Sequence, residues 1–334
     1  MRLLSRITPV VALGFVVFAA PALAQSPADA TARIVRSAQA VLATLDGAGR
    51  AKVQFPFDGP KRTNWSNLPT GIYKRDGLRM GDLSAPQRKA VMDLLGVALS
   101  GPGYQKVTAI MNGDQTLPKP NGGQVVFGLA EYYLAFVGTP STTTPWILQF
   151  GGHHLAINLT LGGSNATMAP SHTAAQPASY TIEGRTVRPL GAENDKAFAL
   201  VNALDAGQKD KAILNYRVAD LVLGPGQDGK TIQPEGIPGS ALNASQQAML
   251  LDIIHEWAGI MNDAYAVPRM AALKAALPQT YFAWSGLTVN GTAAYFRIQG
   301  PSLVIEYAPQ NSIDHIHTMY RDPTNDYGAA FTKK

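Results

Sequence analysis

The stretch "YFRIQGPSLVIEYAP" (residues 295–309) falls into two runs on either side of Gly300-Pro301. In each run apolar or aromatic residues alternate with polar ones, the period of a strand with one face in the core. A Gly-Pro pair between two such runs marks a hairpin turn, so the chain doubles back antiparallel here. With that turn, Gln299 faces Ser302, Arg297 faces Val304 and Tyr295 faces Glu306. Tyr295, Arg297, Gln299 and Glu306 then share one face, and Phe296, Ile298, Leu303 and Ile305 pack on the other.

Outward from the hairpin, residues 281–285 form another strand, and residues 124–138 and 146–161 are apolar, aromatic and β-branched enough for two long ones. Helical spacing of apolar residues appears over 28–45, 84–99, 104–114, 243–261 and 266–276, and over 192–216 in two pieces around Ala206-Gly207. Ser84 is placed to cap its helix with Pro86 in the first turn, and Gly101-Pro102-Gly103 is expected to break the chain before the next. No internal repeat is visible. Helices and strands come in runs without regular alternation, which predicts an α+β fold, a mainly antiparallel sheet with helices packed around it, in a single large domain over residues 25–334.

The first residues read differently. Arg2 and Arg6 precede an apolar run over 7–20, and Ala22-Leu23-Ala24 supplies a small-x-small cleavage pattern. Residues 1–24 are therefore expected to be a signal peptide, cut after Ala24, that sends the protein to the periplasm or beyond the cell. The apolar run is too short for a permanent span, which needs about 20 residues, and no later segment supplies one. The whole chain carries 28 basic and 23 acidic residues, for a net charge of +5, and losing Arg2 and Arg6 lowers that to +3. So small a charge, with no basic run interleaved with aromatics, argues against a nucleic-acid partner. There is no cysteine, so disulfides, thiolate nucleophiles and thiolate metal ligands are excluded.

Two matches fail their context. Gly224-Pro225-Gly226-Gln227-Asp228-Gly229 has the letters of a dinucleotide fingerprint, but Lys230 to Pro234 cannot begin the helix that would receive a pyrophosphate. His255-Glu256 resembles half of a zinc-protease motif, but the position one helical turn on is Gly259.

Of six histidines, four stand in two tight pairs, His153-His154 and His315-Ile316-His317. In an extended segment His315 and His317 project to one side, about 6.5–7 Å apart along the chain. If residues 152–161 are one strand, His154 lies on its polar face and His153 borders the core; Gly151-Gly152 before them permits a close approach by a ligand or another backbone. His154, His315 and His317 are thus candidate metal ligands, and imidazole without thiolate suits zinc, copper, nickel or iron. Glu306 is a candidate third ligand or general base; its alternative is a cross-strand ion pair with Arg297. Asp314 or Asp322 are other carboxylates that could join the histidines. Arg321 is a candidate fork for a substrate carboxylate, and His153, Arg297 and Asp322 complete the set expected to touch a ligand.

The segments "PWILQFGGHHLAINLT" (145–160), "YFAWSG" (281–286), "YFRIQGPSLVIEYAP" (295–309) and "HIHTMYRDPTNDYG" (315–328) resemble, in order, the family catalogued as domain of unknown function 3500, mostly exported bacterial proteins. The resemblance spans nearly the whole mature chain. It implies one family-wide domain and directs attention to His153, His154, Glu306, His315 and His317, without implying an activity. The residues themselves lead to an exported protein with a His-rich metal site, acting as a metal-dependent hydrolase or a related enzyme. The alternative is a non-catalytic periplasmic binder of a metal ion or a small anionic solute.

Overall fold

The computed structural model describes residues 25–118, 125–310 and 312–332. The leader expected over 1–24 and the start of the strand expected from Gln124 lie outside those residues. The fold is α+β: one long, mostly antiparallel sheet with helices against one face. No helix among the described residues is long and apolar enough to cross a membrane.

The chain passes twice through the same series of elements. The first pass runs α1 (Pro27–Ala43), α2 (Gly47–Val53), β1 (Gln54–Phe55), β2 (Leu78–Arg79), α3 (Ala85–Ala98), α4 (Gly101–Gln115), β3 (Tyr133–Val137), β4 (Trp146–Gly152), β5 (Leu155–Gly162), β6 (Asn165–Thr167) and β7 (Ser171–Ala175). A small hairpin, β8 (Tyr180–Ile182) and β9 (Arg185–Val187), links it to the second. That pass runs α5 (Gly191–Ala203), α6 (Ala206–Ala212), β10 (Ile237–Pro238), α7 (Ala244–Ala258), α8 (Asp263–Ala275), β11 (Tyr281–Ser285), β12 (Tyr295–Gly300), β13 (Leu303–Pro309) and β14 (Ile316–Arg321), and α9 (Ala329–Thr332) closes the chain.

The two passes match in detail, which corrects the expectation of no internal repeat. Leu83-Ser84 and Leu242-Asn243 each open a helix with a capping box closed by Gln87 or Gln246, a device worth about 1 kcal/mol per cap. Gly77 and Gly236 each hold a positive φ just before the strands β2 and β10. Gln149 pairs with Ala135 as Arg297 pairs with Ala283. The halves join about an approximate two-fold axis. β7 pairs antiparallel with β14, and Leu99 bridges Met261, with Ser100 N donating to Ile260 O and Asn262 N to Ala98 O, both at 3.0 Å.

Alternation within the strands sorts the sheet into two faces. Leu148, Phe150, Leu155, Ile157 and Leu159 enter the core of the first half with α1, α3 and α4; Phe282, Trp284, Phe296, Ile298 and Ile305 enter that of the second with α5 and α7. The opposite face carries Gln149, Asn158, His172, His317, Arg297 and Glu306, and long loops over 56–77 and 213–236 cover it with backbone groups. This polar face is where chemistry is concentrated.

Four local expectations change. Gly101-Pro102-Gly103 does not break the chain but forms the first turn of α4, because Ser100 accepts from Gly103 N and proline is tolerated there. Of the strand expected over 124–138, Tyr133–Val137 forms a strand, Val126 makes an isolated bridge to Thr70, and Leu129–Glu131 is a 3-10 turn. Residues 146–161 are not one strand but the hairpin β4–β5, with His153-His154 as its turn. The C-terminal hairpin turns at Pro301-Ser302 rather than Gly300-Pro301, so Arg297 faces Glu306 and Gln299 faces Val304. That shift is two residues, so the expected sharing of faces is unchanged.

Candidate metal centre

The β4–β5 turn brings both of its histidines to the start of β14. His154 takes a φ of 63°, a left-handed conformation uncommon outside glycine and asparagine. Its backbone holds it there: His154 N donates to Asn67 O at 3.2 Å and its carbonyl accepts from Ala174 N at 2.9 Å. Tyr132 Oη donates to the His153 carbonyl at 3.0 Å. Any side chain on Gly152 would strike the Tyr132 ring and the Glu131 carbonyl, so the approach to the turn needs glycine.

Three imidazoles meet in consequence. His154 Nε2 lies 2.9 Å from His315 Nε2, and His315 Nε2 lies 3.0 Å from His317 Nε2. The two histidine pairs, far apart in sequence, therefore share one point. His154 is buried, whereas His315 and His317 are half-buried and open the point toward solvent. Behind His154, His153 stacks at 3.6 Å between ring centroids, and its Nδ1 lies 2.5 Å from Asp114 Oδ1 at the end of α4. Asp114 is itself fixed, since its Oδ2 accepts from Gly128 N at 2.8 Å. His172 of β7 sits below His317, 5.4 Å between centroids, fully buried and with neither ring nitrogen bonded among the described residues.

Burial and the neighbouring rings set the charge of this cluster. Burial first, then His153 and His317, holds His154 well below the ordinary histidine value. Burial and His317 do the same to His172, and His315 is pushed down to about 4 by burial and then His317. Neutral imidazole is the metal-binding form.

Among the described residues, two groups of side chains have ligand atoms close enough together to hold an ion: His154, His315 and His317, and Asp114, His153 and His154. Asp114 and His172 escaped the sequence reading. A lone aspartate ending a helix and a lone histidine in a Ser-His-Thr-Ala-Ala run carry no local signal; only the fold brings them to the pairs.

The other expected residues are engaged elsewhere. Glu306 is fully buried, and its oxygens accept from Val222 N, Leu223 N and Tyr295 Oη at 2.7–2.8 Å, which fastens the 213–236 loop to the sheet. Arg297 pairs with Glu235 at 2.7 Å, not with Glu306. Arg321 donates to the Leu223 and Gly224 carbonyls and pairs with Asp228 and Asp326. Asp322 pairs with Arg269 at 3.1 Å and accepts from Thr324. Asp314 Oδ1 accepts from Ala178 N. The acid nearest the trio on its open side is Asp220, 3.7 Å from His317 Nδ1.

No curated protein and no solved structure matches the chain. The family model described as "Protein of unknown function (DUF3500)" matches residues 27–329, so nearly every element above, the whole histidine cluster included, lies within the matched span, and the chain belongs to that family.

Proposed function

We propose that His154, His315 and His317 bind one divalent transition metal through their Nε2 atoms, and that the centre is hydrolytic. The observation that carries this reading is the convergence of the three Nε2 atoms at 2.9 and 3.0 Å. A neutral ring nitrogen either donates one hydrogen or accepts on one lone pair, so His315 Nε2 cannot satisfy both neighbours well. A cation at their meeting point accepts all three lone pairs. At about 2.1 Å from each nitrogen, such an ion fits after the rings separate by a few tenths of an ångström. The donor set, imidazole without thiolate, suits zinc, copper, nickel or iron(II).

A three-histidine set leaves a coordination position free, the pattern of catalytic zinc sites, and the half-exposure of His315 and His317 puts that position toward solvent. A metal bound there supplies Lewis acidity and lowers the pKa of water. On that open side the carboxylate at hand for proton transfer is Asp220, 3.7 Å from His317 Nδ1, while Asp114 holds His153 through Nδ1 and His153 stacks against His154 and fixes its ring. We also place the protein outside the cytoplasm, on the leader pattern of residues 1–24.

The test is metal analysis of protein carrying no polyhistidine tag, purified and then dialysed against zinc, copper, nickel or iron(II). About one equivalent of one of these metals is expected, with His315→Ala and His317→Ala each losing most of it. Substoichiometric metal in folded wild type under all four conditions ends the proposal. A second reading, a non-catalytic metal holder, is favoured by His172, whose unbonded ring beneath His317 could close the shell as a fourth imidazole. X-ray absorption of the loaded protein separates the two. Three nitrogens with an exchangeable oxygen support catalysis, and four nitrogens support holding.

A further inference from the structure

Beside the histidine turn, on the polar face of the sheet, the 56–77 loop roofs a narrow cavity lined by Lys61, Tyr73, Arg75, Asp76, Gln149 and Asn158. Its free space is about 30 Å³, room for two or three water-sized groups at about 10–15 Å³ each. Arg75 Nη2 donates to the carbonyls of Ser66 and Gly152 at 2.7 and 2.8 Å, and also to that of Leu68. This ties the cavity to the residue that precedes the His153-His154 turn. Its other terminal nitrogen, Nη1, is buried with no partner among the described residues. Burial pushes both cations below their ordinary values; for Lys61, Asp76 opposes the shift and Arg75 adds to it. Gln149 donates to the Lys61 and Arg62 carbonyls at 3.1 and 3.2 Å, leaving a buried Oε1 that accepts from nothing among the described residues.

The second half of the molecule shows what a neutralised version looks like. Arg297 occupies the register position of Gln149, and Glu235, just before Gly236, meets it at 2.7 Å. In the first half the charges are redistributed. The cations Lys61 and Arg75 are on the loop, the strand position is the neutral Gln149, and Asp76, just before Gly77, is exposed and pairs with neither cation among the described residues. One half closes its own charge balance, and the other leaves Arg75 Nη1 and the Gln149 amide oxygen unpaired among the described residues, with Lys61 donating to the Asn64 carbonyl at 3.3 Å.

We propose that this cavity binds the carboxylate of a small hydroxy acid, with Lys61 and Arg75 Nη1 on the carboxylate and Gln149 Oε1 accepting from the neighbouring hydroxyl. Buried unpaired donors and acceptors cost about 1–3 kcal/mol each, and one ligand carrying both a negative acceptor and a donor satisfies Arg75 Nη1 and Gln149 Oε1, with the Lys61 ammonium, which donates to the Asn64 carbonyl at 3.3 Å, beside its charge. With Asp76 also on the lining, Lys61 and Arg75 leave a net single positive charge, which matches a carboxylate better than a doubly charged phosphate. That the same ligand is what the histidine centre acts on rests on the metal reading above; the anion site itself does not.

The experiment titrates glycolate, acetate and inorganic phosphate into the full mature chain, metal-free and metal-loaded, by calorimetry. Glycolate is expected to saturate in the millimolar range or tighter, with acetate weaker and phosphate weakest. Lys61→Gln should weaken glycolate by about tenfold or more, and Lys61→Arg should restore it. Gln149→Leu should remove the preference for glycolate over acetate. Metal-free wild type should bind glycolate as well, so failure of the metal reading and failure of this one are read separately. No saturable glycolate binding by folded wild type, or equal affinity in Lys61→Gln of unchanged melting temperature, overturns the proposal.

Discussion

Among the described residues, His172 is sealed beneath His317 with neither ring nitrogen bonded, and His154 leaves its Nδ1 unpaired in the same way. Burial holds both rings neutral where an unfolded chain, with histidines near pH 6.5, takes up protons. The unfolded state therefore binds more protons below that pH, and stability falls as the pH falls. Metal-free protein is expected to have its full stability above about pH 6.5 and to lose it progressively on acidification toward the lowered folded-state values. Urea unfolding midpoints across that range measure the slope. His172→Leu should flatten it and leave the midpoint at neutral pH unchanged or raised, since an apolar side chain replaces two unbonded polar atoms. A large loss of stability at neutral pH in that variant would mean that the ring has a partner in the folded protein. At this scale the sequence was partly legible. The two histidine pairs stood out by their spacing, whereas Asp114 and His172 are single residues whose role depends on neighbours supplied by other strands and helices.

Elements were legible where the alternation was clean and opaque where it was continuous. The C-terminal hairpin shows its two faces despite a turn displaced by one residue, because the pairing then shifts by two and no side chain crosses the sheet. The β4–β5 hairpin was hidden, since strand-like residues run on both sides of Gly151-Gly152-His153-His154 and no Asn-Gly or Pro interrupts them. Histidine in the left-handed position of that turn breaks a local preference, a kind of exception concentrated at functional sites. Where glycine does obey the rule, the requirement is testable. Gly77 and Gly236 have φ of 123° and 94° and press against the Leu134 and Phe282 carbonyls. Gly77→Ala and Gly236→Ala are each expected to cost about 2 kcal/mol or more in chemical denaturation. Gly229→Ala, also at positive φ but in open space, should cost less. Equal costs at all three positions would show that the close approach to the strands contributes nothing.

The whole molecule is a duplicated unit whose halves share one sheet through β7 and β14 and a second contact through Leu99 and Met261. Neither half has a sheet edge to spare at that junction, so unfolding is expected as one cooperative transition in calorimetry, shifted as a whole by a destabilising change in either half. Two transitions that respond separately to Gly77→Ala and Gly236→Ala would contradict the shared sheet. The duplication was illegible in the sequence because the halves agree mainly at scattered caps, glycines and core positions, too sparse to show as a repeat. It has a practical consequence. Each residue of the histidine hairpin has a counterpart on the same scaffold, Ser302 standing at the turn position of His154 and Pro301 at that of His153. The protein thus carries its own matched control: grafting the His153-His154 pair onto the Pro301-Ser302 turn asks whether a turn alone recruits metal or whether the strand entering from His315 is indispensable.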